Sequence, residues 1–255
     1  MNLGLEGRRA LITGGSKGIG LATARRFAAE GADLCLVARD ADALTDAAKS
    51  LRASGGRDVS TLAADLSKAS ERERVWDTFA DVDVVVNNAG SIPFGSIDQV
   101  DEQAWRQAWD LKVYGYIDFT RRYLEVMRAR RRGVIVNVIG ASGERLLDSY
   151  VAGSTANTAL MAFTRIVGSK STAFGVRVVG VNPGPVATDR GSHLVAVNDD
   201  ARDAPSPSFR IPFGRLCTPD EIAASVVFLS SDCSSYTSGT IVTIDGGITH
   251  QSELA

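Results

Sequence analysis

Cysteine occurs three times in 255 residues, at Cys35, Cys217 and Cys233, an odd number of widely separated thiols in no C-x-x-C spacing. That argues against a disulfide framework or a zinc site and implies a reducing cytoplasm, with core packing the expected role of each and no metal expected. Long apolar runs are also missing. The opening segment "MNLGLEGRRALITGG" has no stretch suited to a signal peptide, and no run approaches the length of a membrane span. Neither sign of charge dominates, with 28 basic against 30 acidic residues and a net charge of −2. A balanced surface offers no footprint for nucleic acid or an anionic membrane, so the expected partner is a small molecule and the expected location the cytoplasm.

Apolar residues make up 44% of the chain and charged residues 23%, enough to bury one full core. Short apolar runs alternate with longer segments of helical period, the pattern of a parallel sheet covered on both faces. Strands are expected at 9–13, 33–38, 59–64, 82–87, 133–138, 176–181 and 240–244, and helices near 18–30, 40–54, 67–80, 101–132, 150–174 and 219–231. The predicted fold is a Rossmann-type α/β domain, doubly wound around seven parallel strands and spanning residues 1–255. Asp40, Ser67 and Thr218 stand where helix caps are expected, the last with Pro219 and Glu221 in capping-box spacing. Prolines and polar residues break any period over 189–213, marking a candidate substrate lid with Leu194, Val195, Val197, Phe209 and Phe213 as its apolar set.

"ALITGGSKGIG" places a glycine cluster directly after a strand and before a helix. Gly14 permits the turn, Gly18 and Gly20 admit a pyrophosphate to the helix N-terminus, and Ser16, Lys17 and Ile19 complete the loop. This T-G-x-x-x-G-I-G, together with N-N-A-G at 87–90, "AADL" at 63–66, "NPGPVATD" at 182–189 and the closing "FLSSDCSSYTSGTIVTIDGG", resembles the short-chain dehydrogenase/reductase family over nearly the whole chain. The resemblance implies that Asp65 and Leu66 flank an adenine, that Asn88, Ala89 and Gly90 line the cofactor floor, and that the segment with Pro183, Gly184, Val186 and Thr188 approaches the carboxamide end. It also implies a homotetramer, or second a homodimer, built through the two long helices. The second strand ends in Arg39, followed by Asp40. A basic residue there accommodates a ribose 2′-phosphate and an acidic one accepts from a 2′-hydroxyl, so Arg39 with Lys17 favours NADP(H), while a shift of one residue to Asp40 would suit NAD(H).

The reaction end departs from the family pattern of Asn, Ser, Tyr and Lys. The Ser position is Gly140, the Tyr position Gly153, the Lys position Asn157 and the Asn position Lys112. The thirteen-residue step from 140 to 153 is kept, so these are substitutions rather than a slip in alignment. Two readings follow: a rebuilt site in an oxidoreductase acting on a small or medium carbonyl or alcohol, or a catalytically inactive NADP(H)-binding sensor or structural subunit. Lysine and asparagine look exchanged between 112 and 157, which favours the first. Lys112 is then the first candidate donor, with Asn157 as its exchanged partner. Tyr150, three residues before Gly153, is the second candidate, and Ser142 offers a further hydroxyl. The alternatives are a Lys112 that snorkels to solvent and a Tyr150 that merely packs.

Overall fold

The computed structural model describes residues 2–189 and 211–251. Seven parallel strands form one sheet: β1 Arg9–Thr13, β2 Asp33–Ala38, β3 Val59–Ala63, β4 Val84–Asn87, β5 Gly133–Val138, β6 Val176–Pro183 and β7 Ile241–Ile244. Their spatial order is β3-β2-β1-β4-β5-β6-β7. Strand order therefore reverses between β1 and β4, and the crevice outside their carboxyl ends is where such sheets bind ligands.

Alternation along each strand feeds two cores. Ala10, Ile12, Leu34 and Leu36 point to the face covered by α1 (Gly18–Ala29), α2 (Ala41–Ala53) and α7 (Pro219–Ser230). Leu11, Cys35, Val37 and Val85 point to the other, which α3 (Ala69–Phe79), α5 (Gly115–Ala129) and α6 (Val151–Ser171) cover. Burial pushes the Cys35 thiol up to about 11, in keeping with an inert core residue. The core role expected of every cysteine holds for this one. Cys217 is half-buried and Cys233 is exposed.

Two expectations about helices change. The segment 101–132 is interrupted: α4 (Glu102–Trp109) passes into a π-helical turn, Asp110–Tyr114, before α5 resumes. Ser67 does not cap α3. Lys68 occupies that position, and the Ser67 hydroxyl bonds the Asp65 carboxylate at 2.8 Å instead. Asp40 does cap α2, accepting from the Ala43 N–H, and Thr218 and Glu221 close the expected capping box on α7.

The Arg215 fork, followed by the Thr218 N–H, holds the Glu221 carboxyl far below its ordinary 4.5. A depressed carboxylate stabilises the fold above its unfolded value, and that contribution is lost as pH falls towards the folded value. Thr218→Ala, which removes the side-chain cap of α7, should cost about 1 kcal/mol. Glu221→Gln should flatten the acid limb of a thermal-unfolding profile measured across pH, and an unchanged limb would dismiss this linkage.

Candidate active site

A long groove runs over the carboxyl ends of β1, β2 and β4, lined by Gly14, Ser16, Lys17, Gly18, Ile19, Arg39, Leu66, Asn88, Ala89, Gly90 and Thr188. Its floor is fastened by Thr13, whose buried hydroxyl accepts the N–H groups of Asn88 and Ala89 at 2.9 and 3.0 Å, while the Asn88 amide returns a bond to the Thr13 carbonyl. Gly20 lies behind the loop, where a methyl group would stand 2.1 Å from the Gly14 carbonyl oxygen. Gly14 itself is held at φ +68° beneath Ala89. These two positions need glycine to let helix and strand close on each other.

The groove fits a dinucleotide phosphate. Helix α1 starts after Lys17 with no side-chain cap and no acidic residue in its first turn. Its leading N–H groups and positive dipole end face the groove. At the far end Arg39 is exposed, and the Asp40 carboxylate is engaged on the Ala43 N–H. Asp65 stands behind this end rather than in its lining. Burial raises its carboxyl, but the Ser67 hydroxyl and N–H outweigh that, helped by the Lys68 and Arg39 charges, and hold it below the ordinary range.

Ile19, Asn88, Gly90 and Thr188 border both this groove and a second cleft of about 220 Å³. The cleft adds Lys112, Gly140, Ser142, Arg145, Tyr150, Asn157, Pro183, Gly184 and Val186, with Ile92, Phe94 and Ile139 among its apolar walls. All four catalytic candidates of the sequence thus meet in one place. Of the lid residues, Leu194, Val195, Val197 and Phe209 lie outside the described residues, and Phe213 is largely exposed over Gly246.

Lys112 is carried by the π-helical turn and is 8% exposed. Its ammonium does not snorkel to solvent: Nζ donates to the Ile139 carbonyl at 2.6 Å and to Asn157 Oδ1 at 2.9 Å. The Asn157 nitrogen in turn donates to Ser142 Oγ at 2.8 Å. Beneath them Asn87 Nδ2 donates to Asn137 Oδ1 and Asn137 Nδ2 to the Thr164 hydroxyl, a buried ladder that joins β4, β5 and α6. Sequence reasoning missed this ladder, although a lone asparagine inside the apolar run "GVIVNV" is its visible trace. It also missed Asn182, which accepts the Gly140 N–H and donates to Glu144.

A family model described as "Enoyl-(Acyl carrier protein) reductase" matches residues 14–249. The chain is 35% identical over 259 residues, 96% of each chain, to galactitol 2-dehydrogenase (L-tagatose-forming) of Cereibacter sphaeroides. In structure it superposes at TM-score 0.88 on a short-chain dehydrogenase/reductase family protein, with 32% identity and coverage of 98% of this chain and all of that one. This protein belongs to the short-chain dehydrogenase/reductase family. L-sorbose reductase from Gluconobacter frateurii, solved with NADPH and L-sorbose, is a further neighbour at TM-score 0.88, 30% identity and coverage of 99% and 100%.

Within a short-chain dehydrogenase/reductase fold Lys112, Asn157 and Gly140 pack together, while Gly153 faces Tyr150. A methyl group on Gly153 would lie 2.0 Å from Cε1 and Cζ of Tyr150, so the Tyr150 ring fills the volume where a side chain at 153 would begin. Gly140 sits at φ +147°, and a methyl group there would meet the Asn157 amide nitrogen at 2.8 Å. Each glycine makes room for one particular neighbour. Tyr150, 9% exposed, also packs on Phe94 with ring centroids 4.8 Å apart.

Proposed function

We propose that this protein is an NADP(H)-dependent oxidoreductase that interconverts a small or medium carbonyl compound and its alcohol at a rebuilt site centred on Lys112. The observation that carries this reading is the fit of Lys112 to Asn157, of Gly140 to Asn157 and of Gly153 to Tyr150. Drift after loss of chemistry leaves no reason for Gly140 to vacate the space taken by Asn157, or Gly153 that taken by Tyr150, while a buried ammonium is held at the cleft by two acceptors. Burying a charge is costly unless it is bonded, so a buried, bonded Lys112 speaks for use.

When bound, the cofactor would supply or accept the hydride. Around it the α1 N-terminus and glycine loop would receive the pyrophosphate, and Arg39 with Lys17 would meet a 2′-phosphate; the neighbouring sorbose reductase was solved with NADPH. Asp40, bound in its cap, is poorly placed to serve a 2′-hydroxyl. At the cleft Lys112 gives a proton to the substrate oxygen during reduction and takes it back during oxidation, a role lysine fills readily in partly dry surroundings. Asn157 holds the ammonium, and the Tyr150 ring with Phe94, Ile92 and Ile139 encloses the apolar body of the substrate.

Titrating the protein with NADPH and NADH, then following NADPH oxidation across a carbonyl panel, tests the proposal. Arg39→Ser should weaken NADPH roughly 10- to 100-fold, the loss of charge-assisted bonds to phosphate, and leave NADH unaffected. Equal weakening of both would overturn the NADP(H) assignment. Tight NADPH binding with no turnover on any carbonyl would favour the sensor or structural subunit instead. Homotetramer and homodimer assembly stand as proposals for a sizing column.

A further inference from the structure

The hydrogen bonds beside Lys112 run in one direction. An ammonium only donates, so the oxygen of the Asn157 amide must face it, as it does at 2.9 Å. That leaves the amide nitrogen facing Ser142 Oγ at 2.8 Å, and an amide NH₂ only donates. Ser142 therefore accepts on this line, and its own proton must point elsewhere. Among the described residues the hydroxyl donates to no protein acceptor, and Ser142 borders the cleft from the 3₁₀ turn Ala141–Gly143, two residues beyond the vacated serine position at Gly140.

We propose that Ser142 holds the reacting oxygen of the substrate, its hydroxyl proton directed into the cleft by the polarity that Lys112 imposes through Asn157. This deepens the oxidoreductase reading of the same cleft and rests on it. The ligand it selects is a carbonyl or alkoxide oxygen that accepts from Ser142 while Lys112 supplies the proton. No electron moves in this contact; it stabilises the charge that develops on oxygen as hydride reaches carbon. Asn157 is a positioning residue, acting through both neighbours.

Asn157→Asp separates direction from mere support. A carboxylate accepts on both sides, so Lys112 stays bonded, now as an ion pair, but the Ser142 proton turns away from the cleft onto Asp. With the best carbonyl of the panel, Asn157→Asp and Ser142→Ala should each lower kcat by about 10²–10³, the cost of one oxyanion donor. NADPH affinity should hold, and Ser142→Thr should retain activity. Near-wild-type kcat in Ser142→Ala or Asn157→Asp would overturn the proposal. Neutron diffraction from deuterated wild-type crystals decides independently of turnover: a deuteron on Ser142 pointing into the cleft supports it, and one on the line to Asn157 refutes it. If no carbonyl is reduced, the oxidoreductase reading falls, and the neutron map still reports the direction of the hydroxyl.

Discussion

Lys112→Met is expected to lower carbonyl turnover by roughly 10²–10⁴ while NADPH still binds, because it removes the proposed general acid and keeps the stem that lies under Gly90. Methionine matches the lysine stem in shape, so the packing is largely preserved. What is lost is the donor. The Ile139 carbonyl and Asn157 Oδ1 are left without it, at a cost of about 1–3 kcal/mol each where water cannot enter. A folded, NADPH-binding variant with intact kcat would show that the ammonium is only structural. Lys112→Arg distinguishes charge from fit: a planar fork cannot reproduce two bonds aimed at a carbonyl and an amide oxygen from one nitrogen, so it should remain impaired.

Gly153→Ala should destabilise the protein although it adds a single methyl group to a helix. Alanine is the better helix former. That gain of about 1 kcal/mol is outweighed by placing Cβ 2.0 Å from two Tyr150 ring atoms and 2.5 Å from a third. The ring would have to leave a place where the flanking residues Ser149 and Val151 are tied by backbone bonds to Gly95 and its face rests on Phe94. Overpacking of this kind costs roughly 1–3 kcal/mol. The expected signature is a Tm several degrees lower, together with strong coupling in a double-mutant cycle with Tyr150→Ala, where the combined loss falls well short of the sum. Additive losses would mean that the two residues do not share this space.

The sheet was legible because each strand is a short apolar run flanked by turn residues, and parallel strands covered on both faces leave that trace directly. Strand limits agree to within two residues and helix limits to within three. Nothing in "AWDLKVYGY" announces the π-helical turn, since one extra residue per turn barely disturbs a 3.6-residue period. Ser67 has the chemistry of a cap, yet Asp65 competes for its hydroxyl at shorter range. At the site, the exchange of lysine and asparagine was visible as letters. What was not visible is that Gly140 and Gly153 are conditions for their neighbours: Tyr150 leans into the space because helix α6 begins at Val151, leaving that ring at the bend before it.

The close approach of Asn157 to Gly140 also makes the two positions interdependent. A side chain at 140 would press on the Asn157 amide nitrogen at 2.8 Å from a backbone held at φ +147°, so a serine introduced there calls for an answering change at 157. The same holds for residue 153 and the ring of Tyr150. Redesign of this end of the cleft therefore proceeds in pairs, 140 with 157 and 153 with 150, and each paired replacement is expected to fold more stably than either single one.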